Sequence, residues 1–158
     1  ISGGDLDEKM FQTIAALKVP YMMMHMQGIP KTMQDSPSYT DVFQEVFKSF
    51  SGKLEQLNSL GVNDVILDVG FGFGKTLEHN YTLLKKLSYF HALQRPILVG
   101  LSRKGMIQKV IGSTAEMALN GTTAAHVLAI QNGANILRVH DVKEAKEAIQ
   151  IVDFYQKQ

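Results

Sequence analysis

Val62-Asn63-Asp64-Val65-Ile66-Leu67-Asp68-Val69-Gly70-Phe71-Gly72-Phe73-Gly74-Lys75 is a short apolar run closing on a carboxylate and a glycine-rich loop. The run, Val62 to Asp68, is partly β-branched and does not alternate along its length, the pattern of a strand covered on both faces in a parallel sheet. Three further runs share this character: Val19 to Met26, Pro96 to Gly100 and Ala134 to His140. Helical patterns lie between them, so the chain reads as repeated strand–helix units. Such units begin roughly every 35 to 45 residues and imply parallel strands joined by right-handed crossovers. The fold class is therefore α/β. Periodicity leaves two architectures open, a small open sheet or four βα units of a (β/α)₈ barrel, which needs about 250 residues and eight units. A free half-barrel would expose two apolar sheet edges.

The helices are predicted from spacing and punctuation. Val42, Phe43, Val46, Phe47, Phe50, Leu54 and Leu57 recur at three- and four-residue steps, with Gly61 as the stop. Ser113-Thr114-Ala115-Glu116 has the form of a capping box for a helix running to about Asn132. Asp141 is placed to cap a last helix whose buried stripe is Val142, Ala145, Ile149 and Val152. Further helices are expected over Asp7 to Leu17, from about Asn80 to His91, and after Gly105. The opening Ile1-Ser2-Gly3-Gly4-Asp5 reads as a strand end entering a turn, and we expect sequence upstream of it.

Composition narrows the function classes. A net charge of +1 over 158 residues gives no basic field for nucleic acid. Cysteine is absent, which removes disulfide and thiolate chemistry and agrees with a reducing cytoplasm. No apolar run approaches the roughly 18 residues needed to span a bilayer. Small-molecule substrates are the partners expected.

In α/β folds ligands bind beyond the carboxyl ends of the strands, so the residues after each run matter most. The first run ends in Met24-His25-Met26-Gln27-Gly28. Met22 to Met24 read as core filler, His25 as a satisfied core histidine, and Met26 as an apolar wall for a flat ring. Asp68 can accept two adjacent N–H groups of a heterocycle, while the following glycines admit a ligand close to the backbone and the phenylalanines flank it. The third run leads to Gly100-Leu101-Ser102-Arg103-Lys104-Gly105, basic residues ahead of a helix start and so a candidate anion site. The fourth ends in Arg138-Val139-His140-Asp141, where alternation puts Arg138 and His140 on one face, suited to a diphosphate. The composite is a rim for a flat polar heterocycle carrying a diphosphate.

These same motifs, in the same order, resemble dihydropteroate synthase of the pterin-binding barrel family. The resemblance covers essentially the whole chain, as the C-terminal half of one barrel domain over 1–158 with the N-terminal half absent. It implies condensation of hydroxymethyl-dihydropterin diphosphate with 4-aminobenzoate, releasing diphosphate, in folate biosynthesis. By position, Asp68, Met26, Phe73, Gly100, Lys104 and Arg138 would hold the pterin. Ser102, Arg103, Gly105 and Phe73 would surround the aminobenzoate, and Arg138 and His140 the diphosphate. Lys104, Arg138 and His140 would be the catalytic set. The resemblance also implies Mg²⁺ on the diphosphate without a metal ligand in this chain, a homodimer, a cytoplasmic location and sensitivity to sulfonamides.

Two positions depart from the family pattern: Val69 stands where proline is usual, and Gly105 where serine is common. The competing readings are a methyltetrahydrofolate methyltransferase barrel, which needs no diphosphate clamp, and a non-catalytic half-barrel module.

Overall fold

The computed structural model describes residues 2–158; Ile1, and with it the expected strand end at the opening, lies outside the described residues. Four parallel strands form one sheet, β1 (Tyr21–Met24), β2 (Val65–Asp68), β3 (Ile97–Val99) and β4 (Ile136–Leu137). Each falls inside one of the four apolar runs and is shorter than it. Six α-helices accompany them: α1 (Met10–Leu17), α2 (Val42–Ser59), α3 (Leu77–Lys85), α4 (Gly105–Ile111), α5 (Leu119–Gln131) and α6 (Val142–Gln156).

The sheet order is β1-β2-β3-β4, the order of the chain. A doubly wound sheet reverses its strand order at a switch point, whereas a barrel adds each strand beside the last. The consecutive order is that of an arc of a barrel, and the strand order settles what periodicity left open.

Register explains the two faces. Met22 aligns with Ile66, Asp68 with Leu98, and Leu98 with Ile136, so these side chains share one face. The opposite face carries Tyr21, Met23, Val65, Leu67, Ile97 and Val99, all buried under the helices. Full cover on both faces was expected, and the structure corrects this at the margins: Met22 on the first strand is 59% exposed and Ile136 on the last 37%. Met23 and Met24 fill the core as anticipated; Met22 does not.

α2 buries the stripe Val42, Val46, Phe50, Leu54 and Leu57. Each such side chain contributes about 1.5–3 kcal/mol of transfer free energy. Asp41 starts the helix by accepting from Phe43 N at 2.9 Å and Gln44 N at 3.1 Å. Phe50 stacks edge-on to Phe90, which also packs against Phe43, tying α2 to the 3₁₀ segment Leu87–Leu93.

Three helix predictions need correction. The helix expected from Asn80 to His91 is instead α3, begun earlier by a reciprocal Thr76–His79 capping box, followed by that 3₁₀ segment. Ser113 to Glu116 is not a capping box: α5 begins at Leu119, and the carbonyls of Ala115 and Glu116 are drawn to the Arg103 guanidinium. Asp141 occupies the N-cap position of α6, yet its carboxylate bonds Arg103 rather than the helix N–H groups. The α6 stripe is Ala145, Ala148 and Val152, with Val142 exposed.

Candidate functional site

The loops after β1 to β4 converge at the carboxyl ends of the strands. Asp68, the last residue of β2, is buried and accepts a hydrogen bond from Gly70 N at 2.8 Å. Burial raises its pKa above the ordinary carboxylate value, opposed by that hydrogen bond and by Lys104, Arg138 and Lys75. A carboxylate so placed favours any ligand that brings N–H donors to it.

The glycine-rich loop folds back on β1. Gly70 and Gly74 have φ of +68° and +61°, and a Cβ at either would strike the backbone oxygens of His25 and Gln27 respectively. The five consecutive carbonyls of this loop each meet a side-chain donor. Lys75 Nζ donates to Gly70 O at 3.0 Å and to Phe73 O at 2.9 Å. Lys104 takes Phe71 O, Gln34 takes Gly72 O, and Tyr39 Oη donates to Gly74 O at 2.8 Å. Of the two phenylalanines expected to flank a ligand, Phe71 is fully buried in the core and only Phe73 stands at the rim.

Lys104 is the hub. Its ammonium lies 4.6 Å from the centroid of the Phe73 ring, a cation–π distance. It also lines two cavities at this end of the molecule. One, of about 340 Å³, runs between Phe73, Met33, Gln34, Leu77, Gly105 and Lys109. The other, of about 320 Å³, is bounded by Gly100, Ser102, Arg138, Val139 and His140. Burial lowers the Lys104 pKa to about 8, with Asp68 resisting and Arg138 adding to the fall.

β4 delivers Arg138 and His140, both exposed. The Arg138 guanidinium lies directly over Gly100, where an added Cβ would sit 2.6 Å from Nη2. Ser102 fixes the histidine: its Oγ accepts from His140 N at 3.3 Å and lies 2.9 Å from Nδ1. Where the Ser102 hydroxyl donates to Nδ1, Nε2 carries the ring's N–H.

The remaining expected site residues sort as follows. Met26 is buried beside the β1 end and lines neither cavity. Gly105 opens α4, and a Cβ there would meet nothing within 4 Å. Arg103, which the resemblance puts at the aminobenzoate, lines the second cavity beside Ser102 and Lys104, while its guanidinium pairs with Asp141 through two hydrogen bonds and holds the Ala115 and Glu116 carbonyls. Lys75, Gln34 and Tyr39 were not anticipated as loop donors. A lysine after a glycine loop reads as solvated, and only its three-dimensional position reveals it as 3% exposed. Among the described residues, no three of His, Cys, Asp and Glu converge into a metal-binding group. Among the same residues, no helix is long and apolar enough to cross a membrane.

The pterin binding enzyme model matches residues 1–140. The chain belongs to the pterin binding enzyme family. Among family members, the dihydropteroate synthase of Escherichia coli K12 is 45% identical over 144 residues, covering 90% of this chain and 51% of that protein. Solved structures agree with this family assignment. The Yersinia pestis dihydropteroate synthase with a sulfonamide drug complex superposes with a TM-score of 0.93 at 40% identity, over 98% of this chain and 58% of that one. The Thermus thermophilus dihydropteroate synthase in complex with 4-aminobenzoate gives 0.90 at 40% identity, over 96% and 60%. The chain thus spans about half the length of the curated relatives it matches, and its fold is part of the family's barrel.

Proposed function

We propose that this chain is the C-terminal half of a single pterin-binding (β/α)₈ barrel and carries the pterin and diphosphate rim of a dihydropteroate synthase. The observation that carries the reading is the clustering of Asp68, Lys104 and Arg138 around the ends of three adjacent strands, with Phe73 and His140 beside them. The partly open face bearing Met22 and Ile136 supports completion of the barrel by further strands.

In this reading Asp68 accepts the N–H edge of hydroxymethyl-dihydropterin diphosphate, and the Lys104 ammonium donates to its carbonyl or ring nitrogen. Arg138 lies flat on Gly100, stacks on the ring and reaches the diphosphate, which His140 meets with Nε2–H. Phe73, Ser102 and Gly105 border the 4-aminobenzoate, and Met26 backs the pterin side. As the diphosphate leaves, its growing negative charge is stabilised by Arg138 and His140. The amine then attacks the resonance-stabilised methylene cation, and the protein contributes orientation and electrostatics. Arg103 serves this site indirectly, by holding Ser102 and Lys104 in place through Asp141.

Magnesium is expected with the diphosphate, but the carboxylates at this rim do not form a site for it. Asp68 is turned to Gly70 N and Asp141 to Arg103. The homodimer and the cytoplasmic location rest on family membership; exposed Ile151, Phe154 and Tyr155 on α6 suit an interface.

The test is diphosphate release on mixing pterin diphosphate and 4-aminobenzoate, with the chain alone and co-expressed with the N-terminal half of the E. coli relative. Turnover in the completed barrel is the expected result. Binding of methyltetrahydrofolate without diphosphate release would overturn the reading in favour of a methyltransferase. Cooperative folding of the chain alone, with no gain from the added half, would favour a stand-alone module.

A further inference from the structure

We propose that Lys75 is a positioning residue whose ammonium holds the Gly70–Gly74 backbone in the shape that aims Asp68, Phe73 and Lys104 at the ligand; this rests on the function proposed above. Lys75 is 3% exposed, and burying an ammonium is costly unless its donors are matched. Here all three find acceptors: Gly70 O at 3.0 Å, Phe73 O at 2.9 Å and His25 Nδ1 at 3.1 Å. His25 can accept because burial and the nearby lysines push its pKa down to about 3, which keeps the ring neutral.

Two of these contacts bear directly on the site. The Gly70 peptide is gripped at both ends, its N–H by Asp68 at 2.8 Å and its carbonyl by Lys75. Releasing the carbonyl therefore lets the Asp68 carboxylate turn. The Phe73 carbonyl is drawn inward by the same ammonium, which leaves the Phe73 ring at the rim below Lys104. Lys104 in turn bonds Phe71 O, so it is anchored to a loop that Lys75 shapes. The glycines permit this conformation but do not select it, since glycine is equally at ease in many others. Lys75 makes the largest share of that selection, since it takes two of the five carbonyls where Lys104, Gln34 and Tyr39 take one each.

The test uses Lys75→Met, which keeps volume and removes the donors, and Lys75→Cys followed by aminoethylation. The chain contains no cysteine, so modification of the unfolded Lys75→Cys chain and refolding restores an ammonium at that one position. Three readouts are taken: far-ultraviolet circular dichroism, amide exchange across Gly70–Gly74, and steady-state kinetics of the completed barrel. Lys75→Met is expected to keep the fold and speed amide exchange in the loop. It should raise KM for pterin diphosphate about tenfold or more with kcat changed less than about threefold, and aminoethylation should restore both. A Lys75→Met protein with unchanged loop exchange overturns the proposal, as does one with lowered Tm but unchanged KM. Faster loop exchange reversed by aminoethylation, in a wild-type protein that does not bind pterin diphosphate, would refute the proposed function while supporting Lys75 as the group that shapes the loop.

Discussion

Arg103 and Asp141 are joined by two parallel hydrogen bonds, Nε to Oδ2 at 2.8 Å and Nη2 to Oδ1 at 2.7 Å, each residue lying just past the end of its strand. The pair ties the loop after β3, which carries Ser102 and Lys104, to the loop after β4, which carries Arg138 and His140. A fork-on-carboxylate geometry fixes orientation as well as distance. Arg103 itself has φ of +55°, a conformation that a non-glycine residue keeps only where its surroundings hold it. Arg103 N–H also donates to Thr122 on α5 at 3.0 Å, so the whole turn is fastened from three directions.

Asp141→Asn should lower Tm by a few degrees and weaken pterin diphosphate binding without abolishing the fold. The hydrogen bonds and charge of Arg103 hold the Asp141 pKa below its ordinary 3.8. A depressed carboxylate contributes stability that is present above the unfolded value and lost as pH falls through the folded one. Thermal melts of wild type and Asp141→Asn should therefore differ above about pH 4 and converge in stronger acid. Equal separation of the two melts at neutral pH and in strong acid would mean that charge is not the source.

Gly100 tests the Arg138 platform. Its backbone is not in the left-handed region, so alanine is allowed conformationally; the Cβ is refused only by the guanidinium 2.6 Å away. Since Arg138 is exposed and its side chain flexible, the arginine moves and the fold stays. Gly100→Ala should leave the circular dichroism spectrum intact and cost about tenfold to a hundredfold in affinity for pterin diphosphate, as small misplacements of binding groups do. Calorimetric titration checks this, and wild-type affinity in the variant would remove Arg138 from the binding site.

The strands were legible because a parallel strand buried by flanking helices is an uninterrupted apolar run, and each of the four runs contains one. Strand ends were legible for the same reason, and Asp68, Lys104, Arg138 and His140 lie at them or in the loops that follow. What escaped were pairings set by tertiary position. Asp141 is as good an N-cap in sequence as Asp41, yet Arg103 lies within reach of only the first and claims it. Lys75 differs from a solvated lysine only by what the fold stacks around it. Ser113 to Glu116 satisfied a capping pattern, but the carbonyls there had a stronger suitor in the Arg103 guanidinium. Local rules lost wherever a buried or bidentate charge competed with them.

Lys104 gives the site a pH dependence. Its pKa is lowered to about 8 from an ordinary 10.5, chiefly by burial. Where the ammonium is the donor to the pterin, the contribution of Lys104 to binding should be constant below about pH 7 and fall about tenfold per pH unit above about 8. Stability runs the other way: between about 8 and 10.5 the unfolded chain binds the proton that the folded one has lost, so this lysine's contribution rises with pH. Lys104→Arg should remove the part of the limb above about pH 8, since guanidinium does not deprotonate in that range, and leave only the smaller fall near 7 that loss of the Lys75 ammonium brings. An undiminished fall above about pH 8 in Lys104→Arg would assign that part of the limb to a group other than Lys104.

Gly105 is a position where this chain offers room for a larger side chain. It opens α4 immediately after Lys104, borders the cavity shared with Phe73 and Lys109, and a Cβ there meets nothing within 4 Å. Serine would add a hydroxyl beside Lys104 without displacing any neighbour, and would also cost less backbone entropy on folding than glycine. Gly105→Ser should therefore keep or slightly raise Tm while lowering KM for 4-aminobenzoate about threefold to tenfold, through one added hydrogen bond to its carboxylate. Pterin diphosphate binding, on the far side of Lys104, should not change. The two Michaelis constants, measured separately in the completed barrel, distinguish this from a general tightening of the loop. If KM for 4-aminobenzoate were unaltered, its carboxylate would have to bind away from the start of α4.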